Sequence, residues 1–201
     1  MSEFKDVIKK RRSVYEVGKD TDLSTEEIHD YIQEVVKEVP TAFNSQSTRV
    51  VIVTGDANVA VWDEIHRAQK EALDKDMYEF MAPRFENAKK ALGTVLFFED
   101  QEEVQKMPTN EVRANLYKEQ NSAFTQYAVW LALTDLDLYA TLQHFNIGYK
   151  ESYDKNIREM LNLPDSYELN AEMPFGSKKS DAKKKAYMNV DEQTRLIKEL
   201  D

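Results

Sequence analysis

Gly93 introduces Thr94–Asp100, TVLFFED, a short run with four apolar residues in succession. That length and composition read as a buried strand. A second run, RVVIVTG at 49–55, has the same character: β-branched, brief and closed by Gly55. LNAEMPFG at 169–176 alternates like a third strand. Around these three the pattern is helical. Helices are expected at 3–12, from Ser24 to Pro40, at 57–73, 77–91, 109–142 and 152–161, and from about 191 onward. Ser24 with Glu27 three places on forms a capping-box pattern. Phe80 and Phe85 are expected on the apolar face of the fourth helix. The fold class is therefore α+β, a small central sheet flanked by helices, in a single domain over residues 1–201.

The longest helical signal carries Val112, Leu116, Ala123, Tyr127 and Leu131 at spacings of mostly four and seven, with Leu138 and Leu142 as its last members. Its second half, AFTQYAVWLALTDLDLYATL, is apolar on nearly every side. Such a helix lies in a core or in an interface. One reading makes it the centre of a homodimer; the other makes it the central helix of a monomer.

The chain has 201 residues, no cysteine and a formal net charge of −10, with a pI near 4.9. Disulfides and thiolate metal sites are excluded. The three histidines lie far apart and form no HExxH, so no zinc site is expected. An acidic chain is a poor non-specific ligand for nucleic acid. No apolar run is long enough to span a bilayer, and no apolar signal core opens the chain, so a cytoplasmic protein is expected. With only five glycines, there is neither a P-loop nor a GxGxxG turn, and no GxSxG elbow. If the chain is an enzyme, its reactive group comes from a cofactor.

Against this acidic background, KKRRS at 9–13 stands out. The guanidinium forks of Arg11 and Arg12, with the Ser13 hydroxyl, suit a phosphate; the alternative is a solvated helix end. The loop TAFNSQSTR at 41–49 places Asn44, Ser45 and Gln46 before a core strand, where they can read a flat heterocycle or simply satisfy a turn. The lysine-rich loop Lys178–Lys185 is a second half of a phosphate site or a mobile solvated loop. YATLQHFNIG ends the long helical pattern with Gln143, His144 and Asn146.

Four segments, KKRRSVYEVGK, PTAFNSQSTRVVIVTG, GTVLFFED and LQHFNIGYKE followed by MPFG, resemble the nitroreductase family of flavoproteins, and within it the compact fatty-acid-repression-mutant-like branch. They occur in family order and cover essentially the whole chain. The resemblance implies a homodimer binding FMN between its subunits. The activity it implies is two-electron transfer from NADH or NADPH to nitroaromatics or quinones. It implies that Arg11, Arg12 and Ser13 hold the FMN phosphate and ribityl end, that Lys183 and Lys185 complete that site, and that Asn44, Ser45 and Gln46 meet the isoalloxazine across the interface. The backbone at Gln143 and His144 is implied to lie near the flavin N5, and Phe43 to shape the substrate slot. No side chain is assigned as a catalytic acid or base. Two departures stand out. Where many relatives have Gly-Leu-Gly, this chain has Asp137, Leu138 and Tyr139; where larger members have a lysine, it has Tyr15. A flavin-binding protein with little turnover is one rival reading. A flavin-free interaction module that uses its basic clusters is another.

Overall fold

The computed structural model describes residues 4–145 and 154–199. Asn146 and the first two residues of the helix expected at 152–161 lie outside that range. Along the chain run α1 (Phe4–Lys10), β1 (Val17–Gly18), α2 (Thr25–Val36), a 3-10 turn (Ala42–Asn44), β2 (Thr48–Thr54), α3 (Gly55–Ala72), α4 (Lys75–Lys89) and β3 (Gly93–Asp100). They are followed by α5 (Gln101–Gln105), α6 (Glu111–Asp135), β4 (Tyr139–Ala140), α7 (Asp154–Met160), β5 (Tyr167–Lys178) and α8 (Val190–Gln193).

The sheet has the order β1-β5-β3-β2, with antiparallel ladders throughout and β4 added to β5. Every residue of β3 is buried. Its side chains alternate between two cores, as strand pleating requires. Leu96 and Phe98 join Val53 and Leu169 against Val61, Trp62 and Ile65 of α3 and Phe85 of α4. Val95 and Phe97 join Ala171, Met173 and Phe175 against Ile28 and Ile32 of α2 and Val129 and Leu133 of α6. The sheet thus lies between two helical layers, and its middle strand must be apolar on both faces.

The α+β expectation holds, and so does the Ser24–Glu27 capping box: both of its reciprocal bonds form. The β2 strand ends at Thr54, and Gly55 is the first residue of α3, with φ of +55°. The expected C-terminal helix is only the four-residue α8. Phe80 is 66% exposed rather than in the core, while Phe85 is fully buried.

The largest difference concerns the helix expected over 109–142. It stops at Asp135, because Asp137 turns left-handed with φ of +60°. The Leu138 N–H donates to the Leu133 carbonyl (2.8 Å) and the Asp137 N–H to that of Thr134 (3.2 Å). This pair of bonds is the Schellman stop, which favours glycine at its left-handed position. Leu138 therefore belongs to the turn and Leu142 to an extended segment. The first two-thirds of α6 also inverts the expected face. Asn121, Ser122, Thr125 and Gln126 are buried, whereas Val112 is 80% exposed and Phe124 54%, with Leu116 and Tyr127 also exposed.

Candidate functional site

The basic cluster diverges as α1 ends. Lys9 reaches Asp6 at 4.0 Å, and Lys10 forms an ion pair with Asp137 at 2.9 Å. The Lys10 ammonium, with a further bond from the Tyr139 hydroxyl, holds the Asp137 carboxyl below its usual range. Arg11 lays its guanidinium over the Trp130 ring, 4.3 Å from the centroid. Arg12 donates from Nη2 to the Lys183 carbonyl, bringing the late lysine loop to the first cluster. Arg12 and Lys183, 171 positions apart, are thus neighbours. Lys185 does not join them through any contact among the described residues; its ammonium lies over the Tyr187 ring at 5.2 Å.

Ser13 pairs in parallel with Ala140, and the Val14 N–H donates to the Ala140 carbonyl at 3.0 Å. The chain beyond Ala140 is fixed along β5. The Gln143 N–H donates to the Glu172 carbonyl (2.7 Å), and the Glu172 N–H returns to that of Gln143 (3.0 Å). The Phe145 N–H donates to the buried Glu172 Oε2 at 3.2 Å, while Gln69 Nε2 donates to the Phe145 carbonyl at 2.7 Å. Buried polar groups need such partners, and here they hold residues 143–145 from both sides. The Gln143 side chain donates to Thr141 Oγ1 at 2.9 Å. His144 projects to the surface, and partial desolvation lowers its pKa despite the opposing charge of Glu119.

The loop at 41–46 is built differently. Phe43, Asn44 and Gln46 have φ of +56°, +53° and +46°, a region that costs non-glycine residues energy. A single side chain of α6 spans the loop: Asn121 Oδ1 accepts from the Ala42 N–H (2.9 Å), and its Nδ2 donates to Ser45 Oγ (3.0 Å). The Gln46 N–H donates to Thr41 Oγ1 at 3.0 Å, and Phe43 meets Tyr117 edge to face at 5.7 Å. Arg49 latches the loop to the sheet, bonding the Gln46 carbonyl and pairing with Asp100 at 2.9 Å. Below it, the buried Glu99 accepts from Ser47 Oγ (2.7 Å) and Thr48 Oγ1 (2.6 Å); burial pushes its pKa up against those bonds.

Asn44 and Gln46 line a cleft of about 200 Å3 with Thr41, Arg49 and Thr125. Gln143 lines a separate, narrower crevice with Tyr15, Arg84 and Thr141. Within one chain, no contact among the described residues joins the loop to the Arg12–Ser13 track. Asn121, Glu172, Gln69 and Arg84 escaped the sequence reading. Their side chains act through tertiary contacts; of the four, only Glu172 lies in a quoted stretch, LNAEMPFG, which is read there for its strand pattern alone.

The donor set suits FMN. The groups that could hold its dianionic phosphate are the Arg12 guanidinium, the Ser13 hydroxyl and the Lys183 ammonium, and the backbone edge at 143–145 could flank its planar ring. Among the described residues, no helix is long and apolar enough to cross a membrane.

The nitroreductase family model matches residues 8–177. The chain is 29% identical over 188 residues to "Putative nitroreductase HBN1" of Saccharomyces cerevisiae, which covers 90% of this chain and 91% of the yeast protein. It is 25% identical to "nitroreductase FRM2" of the same yeast, with 92% and 93% coverage. Among solved structures, the nitroreductase CinD from Lactococcus lactis in complex with chloramphenicol superposes with a TM-score of 0.83 at 33% identity, covering 98% of this chain and 100% of that one. By fold and by sequence together, the chain belongs to the nitroreductase family.

Proposed function

We propose that the chain is an FMN-dependent NAD(P)H oxidoreductase that reduces nitroaromatics or quinones in two-electron, ping-pong steps. FMN supplies the redox chemistry, taking up hydride from the nicotinamide and passing the electrons to the second substrate. The chain's residues bind and orient. Arg12 and Ser13 hold the phosphate end, with Lys183 and its neighbour Lys185 supplying further positive charge, and Arg11 stiffens that end by stacking on Trp130. The backbone at Gln143 and His144 flanks the ring, and Phe43 borders the substrate slot. The observation that carries this reading is the continuous track from Arg12 through Ser13 and Ala140 to the pinned segment 143–145.

The site is completed in this proposal by a second copy. Asn44, Ser45 and Gln46 face the ring from the partner, which accounts for their separation from Arg12 within one chain. The exposed Val112, Leu116, Phe124 and Tyr127 on α6 would be covered in such a homodimer. Two ligands bound by the Lactococcus protein, chloramphenicol and 4-nitrophenol, are nitroaromatic compounds, and the same class is assigned to this chain.

The FMN-loaded protein is assayed with NADH or NADPH and 4-nitrophenol, with a quinone in parallel. Parallel double-reciprocal lines are expected; intersecting lines overturn the ping-pong scheme. A flavin-binding protein with little turnover would be yellow yet oxidise NAD(P)H only slowly. The Asp137 backbone gives no support to that rival, since Asp137 adopts the left-handed geometry a glycine would supply.

A further inference from the structure

Beyond β3 the chain turns sharply. Asp100 caps α5 by accepting from the Glu102 N–H at 3.2 Å. The Thr109 N–H donates to the Met107 carbonyl at 2.7 Å, and Asn110 then caps α6 by accepting from the Arg113 N–H at 3.0 Å. Residues 106–110 alone join the two helices. Val104, Met107 and Ala114 form a small buried cluster between them, separate from both sheet cores. Over this apolar floor lies a cavity of about 410 Å3. Small-molecule sites usually occupy about 300–1,000 Å3.

The walls narrow what the cavity takes. Gln105 and Asn115 bring amides to it, and Thr109 a hydroxyl. Among the described residues none of these three side chains has a hydrogen-bond partner within the chain. Glu111 also lines the cavity, and no lysine or arginine does. A group that fits is therefore uncharged, apolar toward the floor and able to exchange hydrogen bonds with amides. An anion there would face Glu111 and a chain of net charge −10.

The cavity adjoins the loop at 41–46. Tyr117 packs against the Val104–Met107–Ala114 cluster, and its ring meets Phe43 edge to face at 5.7 Å. One aromatic side chain thus separates the cavity from the residue assigned to the substrate slot. Both belong to the same chain, so one subunit supplies them together.

We propose that the cavity between α5 and α6 is an extension of the substrate slot that takes the uncharged, hydrogen-bonding side arm of a nitroaromatic compound whose ring lies at Phe43. The inference rests on the functional reading given above and names a substrate class within it. The nitro group reacts elsewhere; the cavity holds the part of the molecule that does not react and so selects among nitroaromatics. Tyr117 is the wall shared by ring and arm.

The test reads binding without turnover, using FMN-loaded, oxidised protein with no nicotinamide. Isothermal titration calorimetry gives dissociation constants for 4-nitrobenzamide, N-(2-hydroxyethyl)-4-nitrobenzamide and 4-nitrobenzoylglycine, whose arm ends in a carboxylate. The hydroxyethyl compound is expected to bind about tenfold more tightly than 4-nitrobenzamide, and the carboxylate compound no more tightly than 4-nitrobenzamide. Asn115→Trp fills the cavity from an exposed position on α6 and is expected to erase the preference for the hydroxyethyl arm. Gln105→Trp fills it from the α5 side and decides the matter should the first variant not fold. Absence of the preference in the wild type overturns the inference, as does a preference that survives in both variants. A carboxylate arm bound as tightly as the hydroxyethyl one overturns it too, and so does an equal loss of both neutral compounds in the variants. A wild-type protein that takes up no FMN, or that reduces none of the three compounds with NADH or NADPH, would instead overturn the functional reading.

Discussion

The segment 141–145 and the loop 41–46 both border the candidate site, and they are held by opposite means. The first is extended backbone paired with β5 and anchored by a buried carboxylate. The second is a knot of left-handed residues bridged by one asparagine from α6. The difference teaches where each gets its precision. A strand-like edge inherits it from the sheet; a strained loop depends on side-chain bonds from Asn121, Thr41 and Arg49 and is correspondingly easier to loosen.

The strongest way to break the contrast is Glu172→Ala. It leaves the buried Phe145 N–H without its acceptor, and an unsatisfied buried donor costs about 1–3 kcal/mol. Urea unfolding should show this loss, and flavin uptake should fall with it. An effect under about 0.5 kcal/mol would mean that the sheet alone holds the segment.

Arg12→Met separates the two ends of the track. Removal of one charge-assisted contact to phosphate is expected to weaken FMN about 10- to 100-fold. Fluorescence titration with riboflavin, which lacks the phosphate, should show almost no change. Equal losses for both ligands would place Arg12 away from the phosphate.

On the loop side, Asn121→Ala removes both of its bridging bonds at a cost of about 1–2 kcal/mol. Faster hydrogen exchange at Ala42 should accompany it, with residues 143–145 unaffected. Exchange rising equally in both regions would dissolve the distinction.

The smallest effect concerns Glu99, below the loop. Its folded pKa is raised by burial. A raised carboxylate favours the fold most when protonated, below its unfolded pKa, and that contribution is lost as pH rises through the folded value. Glu99→Gln should therefore be close to neutral at acid pH and relatively stabilising at pH 8. Melting temperatures of both proteins across that range check the sign, and the reverse trend would mean that the bonds from Ser47 and Thr48 outweigh burial.

Much of the fold was legible because periodicity reports burial. TVLFFED, apolar without alternation, belongs to a strand covered on both faces. Periodicity does not say what does the covering. Val112, Leu116 and Tyr127 read as an apolar face, and they are, yet their own chain leaves them exposed. The helix end at Asp135 was illegible for a different reason: an apolar run continues past it, and only the backbone at Asp137 breaks it. At the site, the motif residues were visible as polar groups in unusual places. Their supports were not, because Asn121 in mid-helix and Glu172 in mid-strand look like ordinary solvent-facing positions.

The Schellman stop at Asp137 bears on how this position can vary over evolutionary time. What the turn demands is a residue that tolerates left-handed backbone, and aspartate does so more readily than most. Aspartate therefore fills this position at modest cost, and its carboxylate pairs with Lys10 as a clasp between the first helix and the end of the longest.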